Sequence, residues 1–246
     1  MTGAPGRVLP DGCLDLMWLG GELVVAGPDT AAVGSGLARG TEIAAVRFRP
    51  GAAPAVLGVP AWELRDRRVP LAELWGADGV RLGERVGSVP GPAARVAVLE
   101  AAVRRRLAGA PPVDPVSRAV LARPARPVAV LAEAVGLSER QLHRRCLAAF
   151  GYGAKTLDRV LRLQRALALA RSPRRPAGGL AGLAAAAGYA DQAHLAHDCR
   201  ALAGATPSEL LRRDGQEREV AQPAAATSAA TRVEVIVAEP STVSPS

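Results

Sequence analysis

Two short stretches of this 246-residue chain carry polar side chains at a shared spacing. In the first, Leu142 and Cys146 lie four apart and turn inward on a helix, which leaves Arg140, His143, Arg144 and Leu147 outside. In the second, Leu195 and Cys199 are the inward pair, and Gln192, Ala193, Ala196, His197 and Arg200 fall on or near the open face. All three histidines of the protein, His143, His194 and His197, sit on these two helices. Guanidinium, imidazole and amide groups donate hydrogen bonds, so such faces suit an acceptor-rich, negatively charged partner. The charge distribution agrees. Residues 124–213 hold 14 Lys or Arg and 6 acidic residues, residues 1–123 hold 15 Arg and 12 acidic residues, and the tail from 214 holds 2 Arg and 5 acidic residues. The net charge of +8 is therefore concentrated where the two stretches lie, as a polyanion-binding surface requires.

The elements that must position these residues form an internal repeat. One copy reads Leu131-Ala132-x-x-x-Gly136-Leu137-Ser138, then Leu142, Cys146 and Gly151; the other reads Leu183-Ala184-x-x-x-Gly188-Tyr189-Ala190, then Leu195, Cys199 and Gly204. The offset is 52 residues up to the glycine and 53 after it, so the second copy has gained one residue in its turn. Each copy has the grammar of a helix-turn-helix: a short small-residue helix, a glycine turn, then a capped second helix. Ser138 and Asp191 are the caps. Between the copies, Lys155 to Arg171 is a linker helix that buries Leu157, Val160, Leu161, Leu163, Ala166, Leu167 and Ala170 and exposes Arg159, Arg162 and Arg165. At ~1.5 Å per residue it is roughly 25 Å long, a spacer suited to successive major-groove faces about 34 Å apart. Asp114-Pro115 opens a supporting helix to about Ala122, which Pro124 and Pro127 break, and Thr206-Pro207-Ser208-Glu209 is a capping box opening a last helix to about Arg213.

The first part of the chain reads differently. Leu14 to Leu19 and Glu22 to Ala26 are strands about a Gly20-Gly21 hairpin, Ile43 to Phe48 is a third strand, and short helices follow around Ala61 to Arg65 and Leu71 to Leu74. The Pro/Gly-rich run Gly87 to Pro92 marks a domain boundary, after which Val96, Leu99, Val103 and Leu107 keep helical spacing. The fold class is thus α+β. A β-rich unit over 1–90 and a connecting helix and linker over 91–113 precede an all-α unit over 114–213, and a disordered tail over 214–246 contains a short Val-Glu-Val-Ile-Val stretch.

Polar candidates in the first unit are sparse. Asp11 and Asp15 are either ligand groups or a turn residue and a solvated strand residue; Trp18, Trp62 and Trp75 are core residues or stacking platforms. Cys13 has no histidine in its half, and no Gly-rich phosphate loop, Ser-His-Asp set or carboxylate pair stands out, so no enzyme activity and no cofactor are expected. Three cysteines are too few for a disulfide framework, and no signal segment or membrane-spanning run is evident, which makes the cytoplasm, with the nucleoid, the expected location. One Lys, Lys155, against 30 Arg, with abundant Ala, Gly and Pro, suggests GC-rich coding, which discounts single arginines but not their clustering.

These motifs, with Arg140-x-Leu142-x-Arg144, the linker Arg162-Leu163-x-x-Ala166-x-x-Leu169-Ala170, Gly188-Tyr189-x-Asp191-Gln192-x-His194-Leu195 and Gly204-x-Thr206-Pro207-Ser208, resemble the AraC/XylS DNA-binding domain over about 115–213. The segments Val8-Leu9-Pro10-Asp11-Gly12-Cys13-Leu14-Asp15-Leu16, Val46-Arg47-Phe48-Arg49-Pro50-Gly51 and Val69-Pro70-Leu71 with Leu74-Trp75-Gly76 resemble the small domain ahead of many AraC-type regulators. The resemblance implies a transcriptional regulator, activator or repressor, with a cupin-like sensor or dimerisation domain. Its expected partners are double-stranded DNA, a small-molecule effector, RNA polymerase and a second copy of the chain, and no membrane. Carried over by position, the base-reading residues are Arg140, His143 and Arg144 in the first unit and Gln192, Ala193 and His197 in the second, while Ser138, Arg159, Arg162 and Arg200 fall to phosphates. Ala193 and His197 depart from the long polar residues usual in that family, so the second unit is expected to act mainly as a backbone clamp. Cys146 and Cys199 take inward positions as small core residues; a zinc site joining them to His143 or His194 would need ligands from both repeats across the linker. The competing class is a DNA alkylation-response protein with Cys13 as methyl acceptor, a chemistry that needs several clustered cysteines.

Overall fold

A computed structural model describes residues 7–34, 36, 41–123 and 126–212, and the backbone of 230–234. Strands β2 (Leu14–Leu19) and β3 (Glu22–Ala26) form the hairpin about Gly20-Gly21, with Leu19 opposite Glu22. The third strand of this sheet, β5 (Ile43–Phe48), pairs antiparallel with the other side of β2. Strand β6 (Arg68–Pro70) extends the sheet beyond β3, and the short pair β1 (Arg7–Val8) and β4 (Val33–Gly34) stands apart. Alternation explains the sheet's buried face. Leu14, Leu16 and Trp18 of β2 meet Ala44, Val46 and Phe48 of β5 on one side.

That apolar face is covered by helices α1 (Ala53–Leu57), α2 (Leu71–Trp75), α3 (Ala77–Ser88) and α4 (Gly91–Ala108), with a 3-10 turn over Ala61–Leu64. Two expectations change here. The boundary expected at Gly87 to Pro92 is only a tight connection between α3 and α4: Val96, Leu99, Ala102 and Val103 join Leu82 and Val86 in the sheet's own core, so the first unit extends through α4. The main sheet has the described strand order β6-β3-β2-β5 with one further strand beyond β5, so sheet and helices give the expected α+β class. Strand β7 (Ala230–Glu234) comes from the tail expected to be disordered and pairs parallel with β5. The rest of that tail, and Pro124, lie outside the described residues.

The second unit is all helical: α5 (Pro115–Leu121), α6 (Val128–Ala134), α7 (Glu139–Phe150), α8 (Ala154–Arg171), α9 (Gly179–Ala187), α10 (Gln192–Ala203) and a last helix over 207–212. Asp114 caps α5 by accepting from the Val116 N–H at 3.0 Å, and Thr206 and Glu209 form the expected capping box of the last helix. Both repeats share one core. Leu142 and Cys146 of α7 and Leu195 and Cys199 of α10 pack into the same cluster as Leu157, Val160, Leu163 and Leu167 of α8. The linker is thereby a shared wall, which fixes the two helix-turn-helix units as one body.

Candidate nucleic-acid interface

Helix α7 begins at the turn made by Gly136, whose φ of +66° is one that a side chain would strain. The Ser138 hydroxyl accepts from the Gln141 N–H and the Gln141 side chain accepts from the Ser138 N–H, a reciprocal cap that holds the first turn. With Leu142 and Cys146 buried, the opposite face exposes Arg140, His143 and Arg144. The structure refines two of the neighbours. Arg145 is tied to Asp114 at 2.8 Å, and the His143 ring rests against Gly153 at the start of α8, so close that a Cβ there would meet Nδ1 at 2.8 Å.

Helix α10 repeats the construction. Gly188 makes the turn with φ +89°, and the Asp191 carboxylate accepts from the His194 N–H at 2.7 Å. Gln192, Ala193, His197 and Arg200 are exposed. His194 belongs to the turn, as its place in the sequence suggests: its ring meets Tyr189 edge-on with centroids 5.1 Å apart, and its Nδ1 lies 3.5 Å from the Ala190 N–H.

Arg159 and Arg162 have partners within the chain. The Arg159 Nε donates to Asp198 at 2.9 Å, and Asp198 is only 1% exposed. Arg162 pairs with Asp158 one turn back on α8, lies over the Tyr189 ring at 5.1 Å, and is 3.3 Å from His194 Nε2. Both guanidiniums thus tie the linker helix to the second helix-turn-helix, although the Arg159 side chain keeps 30% of its surface exposed. Sequence reasoning missed Asp198 altogether, although an acid beside the inward Cys199 was the available signal. The cysteines themselves are core residues. Burial pushes the Cys146 and Cys199 thiols up to about 11, so both stay protonated at neutral pH. A thiol reagent at pH 8 is accordingly expected to label Cys13 well before either of them, read by mass after partial modification.

In the first unit, Asp15 is paired with Arg47 directly across the sheet through two 2.9 Å bonds, and Arg47 also holds Asp11 at 2.7 Å. The bond to Asp15 raises the Arg47 pKa. Asp11 also accepts from the Cys13 N–H at 2.9 Å, the turn bond expected of it, and both acids face an internal cation. Trp18 and Trp75 are core residues, whereas Trp62 is 49% exposed.

The first unit grips the ends of both exposed helices, which no local pattern signalled. At the end of α7, Arg65 Nη1 donates to the Gly151 carbonyl at 3.3 Å, and Phe150 packs against Gly51. At the end of α10, Arg7 Nη1 donates to the Ala203 carbonyl at 3.0 Å, and the Ala32 N–H donates to the Leu202 carbonyl at 2.8 Å. Gln164 of α8 reaches the Pro10 carbonyl at 2.7 Å. Helix C-termini carry orphan carbonyls and partial negative charge, so arginines are suitable clamps. The N-terminal halves, with Arg140 and Gln192, are left open.

Residues 131–213 match the model of a helix-turn-helix domain of the AraC type, and residues 2–70 match a domain of unknown function (DUF6597). The first match places an AraC-type helix-turn-helix domain in the chain, and the two matches together are consistent with a regulator of the AraC family. No curated protein matches the chain. A domain of that type supports DNA binding, and the matched residues 131–213 span both repeats from Leu131 onward. Among the described residues no helix is long and apolar enough to cross a membrane, and no group of three or more His, Cys, Asp or Glu could hold a metal ion.

Proposed function

We propose that this AraC-type regulator recognises its operator by placing the N-terminal halves of α7 and α10 in the major groove of duplex DNA. The observation that carries the reading is the pair of capped helices, built on one core, that leave Arg140, His143 and Arg144 on one and Gln192, Ala193 and His197 on the other open to solvent. Arg140 and Arg144 are suited to guanine O6 and N7, Gln192 to adenine, and His143 and His197 to an acceptor edge or a phosphate. Ala193 offers a methyl contact and no hydrogen bond, so the first helix-turn-helix supplies most of the sequence choice. Ser138 and Arg200, exposed at the start of α7 and on α10, serve the phosphates. The first unit, which holds both helices by their C-terminal ends, governs how they are presented together, and an effector acts by favouring one such arrangement.

Selection of bound fragments from random duplex DNA tests this reading, since enrichment of no sequence would end it. On the operator so defined, Arg140→Ala is expected to cost about 1–3 kcal/mol and to relax preference at one base pair. Arg200→Ala is expected to weaken binding alike on all sequences and to lower the slope of log affinity against log salt by about 1. A competition assay in which Arg140→Ala keeps the parent's preference for operator over random duplex counts against the base-reading assignment.

A further inference from the structure

Helices α3 and α4 enclose a groove of about 300 Å³ on the first unit, away from the helices that face DNA in the reading above. Its floor is apolar, made by Trp75, Leu82 and Ala102, and its walls carry Arg81 and Arg85 from α3 and Arg105 and Arg106 from α4. Asp78 is the lone acid lining it, bonded to Arg81 and 3.8 Å from Arg106. The acids nearby do not balance the rest. Glu73 of α2 and Glu84 of α3 are outside the lining, and Glu100 of α4 is paired with Arg104. Among the described residues, Arg85 and Arg105 have no carboxylate partner. The Arg106 guanidinium lies 3.9 Å over the Trp75 ring, held as a flat wall beside the opening. A helix end accounts for cations at Arg105 and Arg106, since the α4 C-terminus favours them, but not for Arg81 near the start of α3. Four guanidiniums converging on one concavity with low-dielectric walls focus a positive potential inside it.

We propose that this groove binds a small organic anion: an apolar body, aromatic or aliphatic, seated on Trp75 and Leu82, with a carboxylate, sulfonate or phosphate taken by the arginines. Its volume is at the lower end of small-ligand sites, and the pairing of apolar floor with a few charged donors is their usual composition. A planar guanidinium binds such oxyanions bidentately. The inference concerns binding at α3 and α4 and does not depend on how the chain reads DNA.

The test uses the full chain and 1-anilinonaphthalene-8-sulfonate as a fluorescent anionic probe. The double variant Arg85→Ala/Arg105→Ala removes two exposed, unpaired cations, so its circular dichroism and melting should match the parent. Its probe affinity should fall about tenfold or more, the equivalent of losing one charge-assisted bond, and Arg85→Lys/Arg105→Lys should recover part of it. Phenylpropionate and phenyl phosphate should displace the probe, and which does so better separates a carboxylate from a phosphate ligand. Equal displacement by inorganic phosphate would overturn the role of the apolar floor. Unchanged probe binding in the double alanine variant would overturn the site, as would a variant whose sole defect is weaker duplex binding, which would give these arginines to a nucleic-acid backbone.

Discussion

Asp198→Ala is expected to destabilise the helical unit by about 2–4 kcal/mol, the scale for breaking a buried ion pair from one side. Asp198 is 1% exposed and accepts from Arg159 at 2.9 Å, which joins α10 to the linker helix α8. Removing the carboxylate strands a guanidinium whose Nη2 is already buried without another partner. The Arg159 side chain is 30% exposed, so water recovers part of the loss and holds the figure below the top of the range for a fully buried pair. Denaturant unfolding of the full chain reads the effect. The double variant Asp198→Leu/Arg159→Leu supplies the control, because replacing both partners with apolar groups removes the unpaired charge and should restore most of the stability. A single variant as stable as the parent would show that the pair adds nothing to the joint between linker and second unit.

How far the sequence could anticipate this molecule depends on how local each signal is. The caps at Ser138 and Asp191, the turns at Gly136 and Gly188 and the inward pairs on α7 and α10 depend on residues within a few positions of one another, and all stand as expected. The strands β2, β3 and β5 were equally legible, because a period of two and a Gly-Gly turn define a hairpin without reference to the rest of the chain. What could not be read was pairing over long separations. Arg159 and Arg162 satisfy the outward pattern of an amphipathic helix, and only the arrival of Asp198 and Tyr189 against that face gives them partners there. Asp15 looked solvated until β5 placed Arg47 beside it. Helix α4 looked like a connector because Gly and Pro precede it, yet the same residues make a turn tight enough to fold it back on its own sheet. The candidate DNA-facing residues lie mostly on the local side of this division. The grip of the first unit on the ends of α7 and α10 lies on the other.

That grip makes Gly151→Ala the second variant with a large expected effect. Gly151 ends α7 with φ +81°, and its N–H donates to the Leu147 carbonyl at 3.0 Å. A side chain in that left-handed conformation costs roughly 1–2 kcal/mol by itself. Here the Cβ would also stand 2.5 Å from the Pro28 Cγ and 3.2 Å from the Ala61 carbonyl oxygen, both in the first unit. The first of these is closer than real contacts allow, so the two units must separate locally or α7 must shift at its end. The total expected loss is about 2–4 kcal/mol, in line with overpacking added to backbone strain. It should fall mainly on the docking of the two units, since the clashing atoms belong to Pro28 and Ala61 while Leu142 and Cys146 lie further up the helix. Amide hydrogen exchange distinguishes the two. Protection should drop in the segment Ala61–Leu64 and at the end of α7 while the interiors of α8 and α10 keep theirs, and duplex binding should change, on the proposed reading, because α7 is no longer held at that end. Arg65→Ala, which removes only the bond to the Gly151 carbonyl, should act in the same direction by about 0.5–1.5 kcal/mol. If Gly151→Ala leaves exchange in Ala61–Leu64 at the parent level, the first unit does not hold α7, and control of DNA binding through that contact is untenable.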